Sequence, residues 1–439
     1  MPDGSVRAVE TSIGRLLARR SRLVLAVSGG PDSAVLLDAV ARMRGPRHRI
    51  IVASVDHGTG APATEATARA VASAARLGLP AMSERLTLSR PGEAAWREAR
   101  WAFLRRVAAL EDANVVTGHT RDDQVETVVM RLLRGAGARG LAGLYAASPV
   151  ERPLLTHSRQ DVLDYAQQRG VEYIEDPTNT SLAYLRNRVR LHLLPAIRAS
   201  SPDFESDILR IARDAADLRS RVDALAEGFV LEPRPGALIA VDAAGLAELP
   251  DDSLRLLLPA LVARAGITVD RRGLVRLGDV VRSGAGARGQ ISGGFEAVRG
   301  RDDLTIVRLL SVNNQTAKLR TSGETTFGRF RFVAEPGGNI RAPGEGATTD
   351  DPWRIYIPKS AELVVRQWHP GDRLRIDLMG RRRRVKRFFA DAGVVGPLRL
   401  GWPVVVRGDE VVWIPGIRSS QQAMTREERM IQYTCELLP

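Results

Sequence analysis

The residues with the most chemical content are six in a row, Ser28-Gly29-Gly30-Pro31-Asp32-Ser33, lying between an apolar run and a helical pattern. Consecutive glycines let a backbone come close to a phosphate and adopt conformations closed to other residues. A helix opening near Ser33 aims its free N–H groups and positive dipole end at an anion. Ser28 and Ser33 add hydroxyl donors. Asp32 is the odd member. A carboxylate beside a phosphate repels it unless a divalent cation lies between them, which makes Asp32 a candidate magnesium ligand. A glycine turn with Asp and Ser capping a helix would use the same residue types, but the strand–loop–helix context favours the anion site.

A second cluster, Gly118-His119-Thr120-Arg121-Asp122-Asp123-Gln124-Val125-Glu126, stands at another strand-to-helix junction. Asp123 and Glu126 are three apart and share a helix face, where they could hold magnesium or an amine. Thr120 and Asp123 also read as a capping box. His119 lies at the same edge, within reach of a phosphate. Asp56-His57-Gly58 ends another apolar run, either to wrap an adenosine or simply to turn the chain. Arg186, Arg188 and Arg190 form a basic helical segment in which Arg186 and Arg190 share a face, a spacing suited to phosphates. The densest positive run is Arg381, Arg382, Arg383 and Arg384 with Lys386 and Arg387, ahead of Phe388-Phe389. Its place inside a folded block favours nucleic-acid backbone contact over a solvated tail.

The bulk composition narrows the chemistry. The net charge of +13 calls for a polyanionic partner. All but three of the 64 basic residues are arginine, and no lysine precedes Lys318. A Walker-type phosphate-loop lysine or a Schiff-base lysine is therefore excluded from the first two thirds. The single cysteine, Cys435, excludes a disulfide framework and Cys-ligated metal sites. With no apolar leader and no run of about 18 apolar residues, the expected place is the cytoplasm, with no membrane partner.

The elements that must position these groups come from periodicity. Residues 23–27, 50–55 and 114–117 read as buried strands, with a weaker one near 81–86. Between them, residues 33–43, 64–77, 93–110 and 121–133 read as helices. The alternation implies an α/β, Rossmann-like parallel sheet with helices on both faces. Residues 201–264 read as helical, 272–281 as a further helix and 295–310 as strand. A Gly/Pro/Thr-rich linker follows, and then short β runs surround a basic helix. The expected domains are a catalytic domain at 1–198, a helical middle domain with an RNA-contacting role at 199–335, a linker at 336–352 and a small α+β domain at 353–439.

The 28–33 loop is similar to the SGGxDS signature of the N-type ATP pyrophosphatases, or PP-loop enzymes. Within that superfamily the chain most resembles the tRNA(Ile)-lysidine synthetase family. Besides the 118–126 cluster, the similar stretches are Arg134-Gly135-Ala136-Gly137, Arg152-Pro153-Leu154-Leu155, Glu175-Asp176-Pro177-Thr178-Asn179 and the 186–190 segment. Near the C-terminus they are His369-Pro370-Gly371-Asp372-Arg373 and Trp413-Ile414-Pro415-Gly416. The resemblance implies ATP as cosubstrate, magnesium, free L-lysine, and the CAU-anticodon isoleucine tRNA. Its wobble cytidine would become lysidine through an adenylated intermediate. It implies that residues 28–33 bind ATP; Asp56, His57 and His119 are expected to join them from their places at the same sheet edge. Asp32 would hold the metal, with Asp123 and Glu126 around metal and lysine, and the arginines of 186–190 would meet tRNA or phosphates. It leaves a homodimer open. Where the family usually has Leu-Arg after His-Gly, this chain has Thr59-Gly60. The related thiolating enzymes work through cysteines, which a chain with only Cys435 cannot supply.

Overall fold

The computed structural model describes residues 4–438 except 59, 88–91, 175–179, 233, 310–315, 337–350, 378, 395 and 421–429. The 175–179 motif and most of the expected linker therefore lie outside the described residues. The chain divides into two compact units, Met1–Arg221 and Val222–Pro439.

The first unit opens with helix α1 (Gly4–Arg19). It continues β1 (Arg22–Ala26), α2 (Pro31–Met43), β2 (Arg49–Asp56), α3 (Ala61–Arg76), β3 (Ala81–Arg85), α4 (Glu93–Leu110), β4 (Asn114–Thr117) and α5 (Arg121–Leu133). The strands form one parallel sheet in the order β3-β2-β1-β4, so β1 is central and the order reverses beside it. Each face of this sheet must be covered, and the sequence supplies both covers. Leu23 and Leu25 point to one side, into a core with Ile13 of α1, Leu36 and Val40 of α2 and Tyr165. Val24 points to the other side, against Phe103, Leu104 and Val107 of α4. The expected parallel α/β sheet is the one observed, and the helices at 93–110 and 121–133 have the expected bounds.

Beyond α5 the unit adds α6 (Ala138–Leu141), α7 (Arg159–Arg169), α8 (Leu185–Arg188), a π-turn (Val189–Leu193), α9 (Leu194–Ser200) and α10 (Phe204–Glu227). Gln124 fixes α5, which carries the acidic pair. Its fully buried amide donates to the Ala142 carbonyl (3.0 Å) and accepts from the Leu144 N–H (2.6 Å).

The 201–264 region, which begins in the first unit and runs into the second, is not continuously helical. After α10 come strands Val230–Leu231 and Ala237–Asp242, and only then helices Ala243–Glu248 and Asp251–Arg264. The apolar residues Ile239 and Val241 alternate into the core with Leu254 and Leu257, and pairing with Asp303–Arg308 overrides any helical tendency. The result is a five-stranded sheet carrying helices, among them Arg271–Arg282. Two further sheets follow. In one, Phe330–Pro336 and Arg354–Pro358 flank Met430–Leu437. In the other, Pro403–Arg407, Glu410–Ile414 and the hairpin Arg373–Arg375/Arg382–Arg384 are neighbours. The C-terminal motif residues are structural: Asp372 takes both Nη groups of Arg366 (2.8 and 2.9 Å), and Trp413 is fully buried.

Replacing Gln124 by Leu leaves a buried carbonyl and a buried N–H unpaired, a cost of about 2–4 kcal/mol. We expect Gln124→Leu to lower the thermal midpoint by roughly 5–10 °C. An unchanged melting curve would mean that this amide does not hold α5.

Candidate active site

The loops that leave β1 and β4 meet over the end of the sheet where the strand order reverses, the place where open α/β sheets bind ligands. They enclose a cavity of about 380 Å³. Its lining includes polar residues, Ser28, Gly30, Asp32, Ser33, His119 and Asp123, and apolar ones, Ala26, Ala53, Val55, and Trp101 and Leu104 of α4. The 28–33 loop is built as an anion seat. Gly29 has φ +87°, and a side chain there would strike the Ala66 carbonyl at 2.8 Å. Ser33 Oγ donates to the Gly30 carbonyl (2.9 Å) and accepts from the Ser28 N–H (3.2 Å), which closes the turn. Helix α2 then starts with Pro31 in its first turn and no side chain capping it, so its N-terminal N–H groups are left to an anion.

Gly118 brings the second loop against this seat. A Cβ on it would lie 2.7 Å from the Asp32 carbonyl. Two carboxylates, Asp32 and Asp123, consequently face one cavity. Burial, and next the charge of Asp123, raises Asp32 to about 6, against the pull of Arg159 and Arg190. The Oδ1 of Asp32 is buried with no hydrogen-bond partner among the described residues, while Arg159 Nη1 stands 3.8 Å from Oδ2. An orphaned, proton-hungry carboxylate oxygen beside an anion seat fits a hard cation. His119 is tied through Nδ1 to Thr117 Oγ1 (2.7 Å), and burial drives it down to about 4, leaving it neutral near pH 7.

The acids of α5 are already in use. Asp123 Oδ2 accepts from the Thr120 N–H (2.7 Å) in a capping box, and Oδ1 accepts from Arg186 Nη2 (2.6 Å). Glu126, 1% exposed and off the cavity wall, accepts from Arg186 Nε (2.7 Å) and Arg190 Nη2 (3.0 Å). The shared face of Arg186 and Arg190 is thus real, and in this structure it meets carboxylates. Arg188 is exposed. His57 reaches the cavity wall, whereas Asp56 is consumed by its own turn, accepting from the Gly58 N–H and Thr64 Oγ1 (both 2.8 Å). Among the described residues no group of three or more His, Cys, Asp or Glu gathers to hold an ion.

Two family descriptions match the chain, a PP-loop domain over residues 6–197 and a TilS substrate C-terminal domain over residues 363–434. A tRNA(Ile)-lysidine synthase of Geobacter sulfurreducens is 31% identical over 92% of this chain and 90% of its own. One of Thermus thermophilus is 32% identical over 91% of this chain and 70% of its own. One of Symbiobacterium thermophilum is 32% identical over 92% and 91%. The chain belongs to the tRNA(Ile)-lysidine synthase family. The C-terminal arginine run is partly paired within the fold. Arg381 faces Asp377 (3.8 Å), Arg382 faces Glu410 (3.5 Å), and Arg383 pairs with Asp391 (2.6 Å) over the Phe388 ring. Arg384, Lys386 and Arg387 are exposed, with no ion pair among the described residues. Phe388 and Phe389 are core.

Sequence reasoning missed three cavity residues of this lysidine synthase family member: Arg100 and Trp101 of α4, and Arg159 of α7. A signal for the first did exist. Arg100 shares a helix face with Phe103 and Leu104, so it is an arginine placed among core positions.

A carboxyl held at about 6 instead of 3.8 takes up a proton more readily in the fold than in the unfolded chain. On its account the ligand-free protein loses stability as pH rises through that window. Asp32→Asn should therefore gain in thermal midpoint over the parent as pH rises from 4 to about 6, then hold a constant difference above it. A pH-independent difference would show that Asp32 ionises normally.

Proposed function

We propose that the protein joins free L-lysine to carbon 2 of the wobble cytidine of CAU-anticodon isoleucine tRNA. ATP first adenylates the cytidine, and AMP and pyrophosphate are released. The observation that carries this reading is the single cavity in which an uncapped helix N-terminus and Asp32 face Asp123. Adenylation requires in-line attack on the α-phosphate with pyrophosphate leaving, and the 28–33 loop is suited to take that leaving charge. The apolar lining around Trp101 and Leu104 is suited to a base. Asp32, and Asp123 once Arg186 withdraws, would hold magnesium, which when bound spreads the charge of the phosphoryl oxygens. One or two carboxylates plus substrate phosphates suffice for this ion.

The lysine ε-ammonium, with a reference pKa of about 10.4, must lose a proton before it attacks. Asp123 faces the cavity and Glu126 does not, so Asp123 is the proposed acceptor. The Arg186 guanidinium on Asp123 Oδ1 occupies a place where an amine cation is electrostatically acceptable. Neutral His119 is suited to a hydrogen bond with a phosphate or a base without adding charge. Thiolation is disfavoured: Cys435 is buried in the C-terminal sheet, and burial pushes its thiol well above the ordinary value. No helix among the described residues is long and apolar enough to cross a membrane. We assign the enzyme to the cytoplasm, where its tRNA, ATP and lysine are.

Incubation with ATP, labelled lysine and a panel of tRNAs should label the CAU-anticodon isoleucine tRNA alone. A folded protein that labels no tRNA sinks the reading. Asp32→Ala should lower pyrophosphate release by roughly 10²-fold or more while tRNA affinity stays within about twofold. In the C-terminal arginine run, neutralising Arg384, Lys386 and Arg387 should weaken tRNA binding and flatten its salt dependence more than neutralising the paired Arg382 and Arg383. Equal effects would mean that the internal ion pairs do not restrain the arginines.

A further inference from the structure

Four arginines, one on the cavity wall and three on the elements around it, have no carboxylate to answer them among the described residues. Arg97 and Arg100 lie one turn apart on α4, Arg131 is in the last turn of α5, and Arg152 follows the bridge between β4 and Glu151. Arg100 lines the cavity, and its Nε is buried with no hydrogen-bond partner among the described residues, as is the Nε of Arg152. Their other contacts are neutral. Arg152 donates to the Val150 carbonyl (3.3 Å) and Ser148 Oγ (3.4 Å), and Arg131 donates to the Gly140 carbonyl. Among the described residues none of the four makes an ion pair, while Arg159, Arg186 and Arg190 each face an acid. The group is also self-repelling. Burial first lowers Arg100, Arg131 and Arg152 below their ordinary values; next comes the charge of Arg97 for Arg100 and Arg152, and of Arg219 and then Arg97 for Arg131.

Arg97 is exposed, while Arg100, Arg131 and Arg152 are half-buried, and half-buried cations beside like charge are costly unless an anion completes them. A guanidinium is a planar fork matched to phosphate oxygens. Three separate segments supply this group, and only Arg100 of the four lines the cavity. A ligand for all four must therefore extend beyond the cavity, whereas the phosphates of ATP already have a seat at the 28–33 loop.

We propose that Arg97, Arg100, Arg131 and Arg152 form a track for an RNA phosphodiester backbone that leads the target nucleotide into the cavity. The track rests on the reading that the substrate is a tRNA. It adds a binding surface on the first unit that meets the 186–190 segment at the cavity, where Arg100 and Arg186 both line the wall.

The test compares R97Q, R131Q, the double variant R97Q/R131Q and R100Q with the parent. It measures tRNA affinity from 50 to 200 mM salt, the KM for ATP, and lysine transfer. Each lost contact should lower the slope of log affinity against log salt by about 0.7–0.9. The double variant should bind tRNA on the order of tenfold more weakly near physiological salt, with its KM for ATP unchanged. The charge-keeping R97K/R131K should retain most of the parent slope. Unchanged affinity and slope overturn the track. So does a higher KM for ATP with tRNA binding intact, which would give the arginines to the nucleotide, and so does an equal loss in the lysine variants, which would mark a packing role. A parent protein that transfers lysine to no tRNA sinks the functional reading itself. A working parent with unaffected variants sinks only the track.

Discussion

Two loop backbones touch at Gly118, and the juxtaposition of Asp32 and Asp123 in the cavity follows from that contact. Because position 118 has no Cβ, the β4 loop can rest on the first turn of α2, where any side chain would meet the Asp32 carbonyl. This proximity sets the charge of Asp123 against Asp32 and helps raise its proton affinity. The same contact brings together an anion seat from one strand-end and an acid from its neighbour. Neither loop could make a two-substrate site alone. The sheet supplies the rest of the constraint, since β1 and β4 are adjacent and parallel and their C-terminal ends open on the same side.

The arginine excess takes on meaning once its members are sorted by partner. Those nearest the acids are spent inside the fold: Arg186 and Arg190 neutralise Asp123 and Glu126, and Arg159 approaches Asp32. Glu126 could not stay almost fully buried without them, because an isolated carboxylate in that position would be strongly disfavoured. The Arg97 group on α4, α5 and the segment after β4 has no such partner among the described residues. A net charge of +13 is therefore not spread as an even coat. It divides into balanced pairs that build the site and unbalanced groups that await a polyanion.

The sheet and its helices were legible because their signals are local. Continuous apolar runs marked the parallel strands, and capping residues marked the start of α5 at Thr120. The 28–33 loop was legible for the same reason. The 201–264 region was misread because Ala237–Asp242 is a strand only by virtue of pairing with Asp303–Arg308, some sixty residues on, and the amphipathic pattern around it masks the change. The partners of Arg186 and Arg190 were hidden for a related reason. Spacing shows which side chains share a face, but not what that face meets, and the acids lie about sixty residues upstream. Arg100 escaped notice inside a helix whose other residues account fully for its periodicity.

The absence of lysine before position 318 bears on the proposed chemistry as well as on the exclusion of other loops. An adenylated cytidine awaiting an amine is vulnerable to any amine nearby, and a lysine side chain in a dry cavity would be a competing nucleophile once deprotonated. Arginine supplies the positive charge that phosphates require, yet it stays protonated at any working pH and does not attack. Every cation on the cavity wall among the described residues is an arginine: Arg100, Arg159, Arg186 and Arg190. In the proposed reaction the incoming lysine would then be the one side-chain amine available in the catalytic unit. The choice of guanidinium over ammonium leaves the intermediate a single partner.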